Sequence, residues 1–300
     1  MAVASSCPIC NCADTRRLRV ARTPYLDRSL LYDVMSCGGC DHMWCRGEAS
    51  PEILTRIYST DFHGSSQQLA ANGDEARSPV VENAWTRSAK LASQRSTGRL
   101  LDVGAGNGYF VNAARKHGFD AEGVDIAPQA ADIAARSGAK VHVGDFQQMM
   151  NLSGNYDIIT MWDVLCGFPD PHRAMARVRE LMAPGGLFVA TVCDRSSRMA
   201  RLSGRFWPLL IPPVNLHYFS RESMNRLLAA HGFSPVDFRH DGKSVSLRFV
   251  GQKLMRTVGL ASLEPSLAPL IPAGWRATLN LGDIATVVAM RNRSDAGDRT

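Results

Sequence analysis

From about residue 98 to residue 192 the chain alternates short apolar runs with segments of helical period. Leu100 to Val103, Phe119 to Val124, Lys140 to Val143, Tyr156 to Trp162 and Leu187 to Val192 have the length and β-branched or aromatic content of buried strands. Between them, the helix that starts at Tyr109 runs through Val111–His117 and stops at Gly118. Gln129 to Ser137 stops at Gly138, and Arg173 to Met182 closes on the turn Ala183-Pro184-Gly185-Gly186. Strands and helices in strict alternation predict right-handed βαβ units and a doubly wound parallel sheet. Further along, Ser220 caps a helix over Arg221 to His231. Pro235 to Arg239 is a sixth strand, and Ile284 to Met290 a seventh, expected antiparallel at the sheet edge. The expected fold class is therefore α/β, a seven-stranded, mostly parallel sheet. The polar tail after Arg291 is expected to fray.

The first fifty residues follow another pattern. Cys7-Pro8-Ile9-Cys10 and Cys37-Gly38-Gly39-Cys40 are two C-x-x-C pairs on tight turns. Leu30 to Met35 reads as a strand into the second pair and Asp41 to Cys45 as a strand out of it. Two such knuckles can bring four thiolates to one point with tetrahedral geometry, so residues 1–50 are expected to form a small zinc ribbon. Four sulfur ligands leave no open position, which makes the expected metal structural. Cys12, His42 and Cys45 are spare candidates, and a redox pair or unliganded thiols are the alternatives. Residues 51–95 are expected to hold a short helix from Pro51 to Tyr58, a polar connector over 61–78 and a helix over Glu82–Arg95. The remaining 96–293 carry the sheet, with an insertion over 243–283 that reads as amphipathic and partly helical.

Composition narrows the setting. Of 300 residues, 45% are hydrophobic and 21% charged, as in globular proteins. No apolar run is long enough for a membrane-spanning helix, and Met1 to Cys7 shows no charged-then-apolar leader, so the cytoplasm is the expected compartment. There, eight cysteines read as thiols or metal ligands and not disulfides. The net charge of +6 permits an anionic partner, although a dispersed excess of arginine is the preferred reading.

The chemistry concentrates in Leu100-Leu101-Asp102-Val103-Gly104-Ala105-Gly106-Asn107-Gly108-Tyr109-Phe110. A strand, a glycine turn and a helix start place a small-molecule site at the carboxyl edge of a parallel sheet. A dinucleotide fingerprint needs G-x-G-x-x-G, and Tyr109 stands where its third glycine belongs. Asp102 would repel a pyrophosphate but attract a ligand with an amine and a sulfonium. S-adenosylmethionine (SAM) carries both.

An acid, one residue and then G-x-G-x-G resembles the first motif of the class I SAM-dependent methyltransferases. The resemblance extends over about residues 80–290 and includes the A-P-G-G turn before the fifth strand. It implies that Asp102, Gly104, Ala105, Gly106, Asn107 and Gly108 cradle the cofactor. Asp125, about 20 residues past the turn and followed by Ile126, is expected to reach the ribose hydroxyls. Asp145 and Phe146 are expected to meet the adenine, and Trp162 and Asp163 to close the site after the fourth strand. A helix cap at Asp125 and a plain turn at Asp145 are the structural alternatives. Many family members follow the fourth strand with an acid–histidine pair. Here Val164-Leu165-Cys166-Gly167-Phe168-Pro169-Asp170-Pro171 keeps the Asp-Pro and lacks the histidine, which leaves the base unassigned.

Residues 194–220 are expected to form a lid over the acceptor. Arg195, Arg198, Arg201 and Arg205 precede the apolar run Phe206-Trp207-Pro208-Leu209-Leu210-Ile211-Pro212-Pro213. This stretch suits a hydrophobic or anionic acceptor, or peripheral contact with a membrane surface; a core-packing loop is the alternative. His217-Tyr218-Phe219-Ser220 and the helix after it resemble bacterial methyltransferases that also carry N-terminal cysteine knuckles. Many of those act on sugars, quinone-like phenols or natural-product intermediates. His217 is the candidate general base, with a structural tie between lid and sheet as its other reading. The function expected from the resemblance is methyl transfer to a small-molecule acceptor at oxygen or carbon. The alternatives are an RNA methyltransferase that grips RNA with its ribbon, and a non-enzymatic SAM-binding or scaffold protein.

Overall fold

A computed structural model describes residues 6–24, 29–58, 78–248, 250–251, 271–272 and 275–293. Its strands are β1 (Thr15–Arg22), β2 (Leu31–Cys37), β3 (Met43–Arg46), β4 (Arg99–Val103), β5 (Asp120–Asp125), β6 (Val141–Val143), β7 (Tyr156–Met161), β8 (Met182–Cys193), β9 (His217–Tyr218), β10 (Phe233–Arg239), β11 (Lys243–Ser246), β12 (Arg276–Leu279) and β13 (Ile284–Arg291). The helices are α1 (Pro51–Ile57), α2 (Pro79–Gln94), α3 (Tyr109–Lys116), α4 (Pro128–Arg136), α5 (Pro171–Leu181), α6 (Arg198–Ser203) and α7 (Arg221–Ala230).

Seven strands form the central sheet in the order β10-β13-β8-β7-β4-β5-β6. The strands from β6 to β8 are parallel, and β13 runs antiparallel to both of its neighbours. The expected seven-stranded, mostly parallel sheet is thus observed, with one correction: β13 lies inside the sheet, and β10 forms the edge. The residues explain this. Ala285 to Ala289 are buried without interruption, the signature of a strand covered on both faces. In β10, Ser234, Pro235 and Val236 are exposed, and Pro235 sits beside a register shift, as suits an edge.

Alternation along the strands divides the core in two. Leu100, Ile158, Val189 and Val288 face α2 and α3 and pack on alanines such as Ala84, Ala113 and Ala114. Leu101, Val103, Ile159, Met161 and Phe188 belong to the other core, which also contains Val178 of α5 and Leu227 of α7. Helix starts follow local chemistry. Ser78 caps α2 ahead of Pro79, Asp170 caps α5 ahead of Pro171, and Ser220 and Ser223 cap α7 reciprocally. The connector expected over 61–78 lies outside the described residues apart from Ser78.

The N-terminal ribbon is built into this body. Its sheet has the order β1-β2-β3-β9, and β9 comes from the stretch just before α7. Trp44 pairs with His217 and Met43 with Tyr218. Cys7, Ile9, Tyr32 and Trp44 lie in the same apolar cluster as Phe188, Phe219 and Leu227. The insertion expected to be partly helical begins with strand β11 and pairs it antiparallel with β12; residues 247–248 and 250–251 are helical, and residues 252–270 lie outside the described residues.

Candidate functional site

The sheet order turns back between β4 and β7, so the carboxyl ends of these strands border a crevice at the switch point. The Gly104–Gly108 turn lies on one side of it. Gly104, Gly106 and Gly108 all have positive φ, at 73°, 51° and 74°, a region that residues with a Cβ rarely occupy. Gly104 has a second reason to lack a side chain. A Cβ there would stand 2.3 Å from Val164 Cγ2, across the crevice floor.

Asp125 ties this turn to β5. Its Oδ2 accepts from the Gly106 N–H at 2.8 Å and its Oδ1 from the Ala127 N–H at 2.9 Å. The bond to Ala127 is a local turn and not the expected helix cap, because the N-cap of α4 is Ala127, which has no side-chain cap bond. Each carboxylate oxygen has two lone pairs, so two acceptor positions are still open to ligand hydroxyls. Asp102 differs. It is 2% exposed, and its Oδ1 accepts from the Thr160 hydroxyl at 2.6 Å. Burial outweighs that hydrogen bond and raises its pKa to about 7. Asp102 is thus a buried group whose ionised form is disfavoured, which qualifies the simple attraction to a cation expected from sequence.

Asp163, at the end of β7, carries the strongest charge contacts of the crevice. Its φ is +64°, and its backbone N–H donates to Thr191 Oγ1 at 2.7 Å. Lys243 Nζ lies 2.7 Å from both carboxylate oxygens, and Arg87 Nη2 is 3.1 Å from Oδ2. Crowding by its neighbours costs the carboxylate some solvation, but Lys243 and Arg87 outweigh this and hold the carboxyl well below the usual range. Arg87 also stacks over the Trp162 ring at 4.6 Å. Arg87 and Lys243 were not singled out from sequence. They lie 76 and 80 residues from Asp163, and no local motif marks either one.

Two buried polar atoms in this region lack any partner: Asn107 Oδ1 and Trp162 Nε1. Such groups cost free energy unless something satisfies them. The adenine-side candidates are committed locally. Asp145 accepts from the Gln147 N–H and the Gln148 side chain, the turn role, and Phe146 is buried against Phe168. Ile126 is half-buried and Val143 half-exposed beside Asp125.

His217 stands apart from the crevice. It is 3% exposed and sandwiched between ribbon and sheet. Its Nδ1 pairs with His42 Nε2 at 3.0 Å, while its Nε2 faces the Pro169 carbonyl at 3.5 Å. Burial lowers its pKa to about 4. These surroundings match the structural tie. A neutral histidine held this way adds stability above pH 6.5 that is lost as the pH falls through 4. Replacing His217 with glutamine is expected to cost about 1–3 kcal/mol in urea unfolding at neutral pH and to flatten the acid limb of the stability profile.

The four knuckle cysteines form one cluster, with all sulfurs within 4.8 Å of one another. Cys7 Sγ is 3.7 Å from Cys40 Sγ, and Cys10 Sγ is 3.6 Å from Cys37 Sγ. Four sulfurs at 2.3 Å from a tetrahedral zinc would be separated by roughly 3.8 Å, so the cluster fits that ion. The Ile9 and Gly39 N–H groups point at Cys7 and Cys37 sulfur at 3.4 and 3.3 Å. Cys12, His42 and Cys45 stand outside this group.

Comparison with known proteins agrees with this architecture. Residues 79–237 match a family model described as a methyltransferase domain. A ubiquinone biosynthesis O-methyltransferase of Bordetella avium is 29% identical over 139 residues, which is 43% of this chain and 58% of that protein. One from Coxiella burnetii is 32% identical over 100 residues, 31% of this chain and 43% of that protein. The chain therefore spans about three-fifths or less of the length of these two relatives. Among solved structures, a magnesium protoporphyrin IX methyltransferase from Synechocystis has a TM-score of 0.54 at 12% identity, over 81% of this chain and 100% of that one. A 1,6-didemethyltoxoflavin-N1-methyltransferase from Burkholderia thailandensis has 0.50 at 18% identity, over 91% and 100%. These two show a shared fold. With more than half of its residues inside the family model, and with this strand order and glycine turn, the chain belongs to the methyltransferase domain family of class I SAM-dependent methyltransferases.

Proposed function

We propose that the chain transfers a methyl group from SAM to a small-molecule acceptor, at an oxygen or carbon of a phenol or quinone-like compound, a sugar or a natural-product intermediate. The observation that carries this reading is the pair of unsatisfied buried atoms, Asn107 Oδ1 and Trp162 Nε1, beside a glycine turn pinned by Asp125. SAM, when bound, supplies an electrophilic methyl group on a sulfonium. Asp125 would hold the ribose, and the glycine turn would admit the ligand close to backbone. Asp102 would lose its proton in favour of a cation nearby. Arg87 and Lys243 fix Asp163 at the mouth of the site and so limit how the acceptor can enter. The protein's main contribution is orientation, which can supply roughly 7–11 kcal/mol in bound pairs of this kind. Cys7, Cys10, Cys37 and Cys40 would hold a structural zinc that takes no part in transfer. The names of the Bordetella and Coxiella relatives favour a phenolic oxygen as acceptor.

Incubation with methyl-labelled SAM and separate small-molecule, lipid and RNA fractions tests the proposal. Label should enter an extractable small molecule. Label confined to RNA would favour an RNA methyltransferase, and no label in any fraction would favour a binding or scaffold role.

A further inference from the structure

A second feature lies in the stretch expected to form the lid. The stretch 195–213 contains four arginines and no acid, and β1 carries another four with no acid. The fold brings the two together: Arg19 Nη1 lies 3.9 Å from where a Cβ on Gly204 would be. Arg195 points back to Asp41 at 2.8 Å, but Arg198, Arg201 and Arg205 stay exposed, as does Arg16. Arg195 also has its pKa lowered, chiefly by burial and in part by Arg201, Arg16 and Arg19, which shows that these charges share one region.

Apolar side chains stand among them. Leu202 is 87% exposed and Phe206 59% exposed, while Trp207 next door is buried and anchored to Asp283 by its Nε1 at 2.9 Å. The exposed leucine and phenylalanine are therefore presented on a rigid base. Leucine gains nothing from a phosphate backbone, whereas an interfacial site uses aliphatic and aromatic groups together with arginines. No helix among the described residues is long and apolar enough to cross a membrane, so any such contact would be peripheral.

We propose that α6, the turn after it and the neighbouring edge of β1 form a docking surface for an anionic lipid bilayer. Arg198, Arg201 and Arg205 meet the headgroups, and Leu202 and Phe206 enter the interface between them. Adjacency to β1 makes the ribbon part of the same surface.

Co-sedimentation of the full chain with vesicles tests this without any methyl donor, so its outcome is independent of the proposed activity. Phosphatidylcholine vesicles containing phosphatidylglycerol should bind roughly tenfold or more protein than phosphatidylcholine alone, and added salt should weaken the binding. The R198E/R201E/R205E variant should lose the anionic preference. L202D/F206D should bind several-fold more weakly while keeping the wild-type melting temperature, since both side chains are exposed. Absence of selective pelleting by the wild type would overturn the proposal. So would tight binding of an RNA oligonucleotide that L202D/F206D leaves unchanged, because that would make the patch a phosphate-backbone site.

Discussion

Replacing Cys37 with serine is expected to unfold far more than the first fifty residues. With zinc in the cluster, the knuckles clamp chain that belongs to the sheet. Ser220 Oγ, the cap of α7, donates to the Cys40 carbonyl at 2.7 Å, and the Cys45 N–H donates to Leu216 at 2.8 Å. His172 of α5 reaches the Ile9 carbonyl at 3.2 Å. One apolar cluster joins Cys37 and Trp44 to Met224 and Leu228 of α7. Structural zinc contributes about 10–16 kcal/mol in zinc-finger peptides, so even a fraction of that is large beside a typical domain stability of about 5–15 kcal/mol. The C37S variant, or the wild type after exhaustive chelation, should lose at least about 3 kcal/mol, or roughly 6–12 °C in melting temperature. Both should melt in a single transition followed by near-ultraviolet circular dichroism. Separate melting of the ribbon, with the main transition unmoved, would show that the two parts fold independently.

The second large effect is expected at Asp125. Alanine there removes the proposed ribose acceptor, the bond that holds the glycine turn through Gly106 at 2.8 Å and the bond to Ala127 at 2.9 Å ahead of α4. Hydrogen bonds to a charged group contribute about 1.5–3 kcal/mol each, so affinity for S-adenosylhomocysteine should fall by about 100-fold or more. Asp125→Asn keeps one acceptor oxygen and should lose less. Unchanged affinity in the alanine variant, measured by titration calorimetry, would remove Asp125 from the site.

The contrast with Asp102 shows how far sequence could carry the argument. Both acids end strands beside the same turn. Sequence cannot say that Thr160, 58 residues away, caps one of them and that burial pushes its pKa to about 7. The strands and helices were legible because their signals are local: apolar runs, Ser220 at a cap, Gly118 and Gly138 at ends. The place of β13 was not, because strand order depends on which faces are covered; the near-continuous apolar run from Ile284 to Met290 was the available clue. Pairing of β9 with the ribbon was also beyond reach. Two residues carry no periodicity, and their partners, Trp44 and Met43, lie 173 and 175 residues upstream. His217 looked like a base for the same reason. Its residue type is chemical, while its surroundings, His42 and the Pro169 carbonyl, come from distant parts of the chain. The cluster of Arg87, Asp163 and Lys243 is of the same kind, three separate elements converging at one edge.

The central claim is that the glycine turn between β4 and α3 holds a sulfonium donor and not a dinucleotide. Direct competition by titration calorimetry decides it, with S-adenosylhomocysteine, SAM and NAD titrated in turn into the wild-type chain. One site should take SAM and S-adenosylhomocysteine and be unmoved by NAD. Saturable binding of NAD that displaces S-adenosylhomocysteine would contradict it.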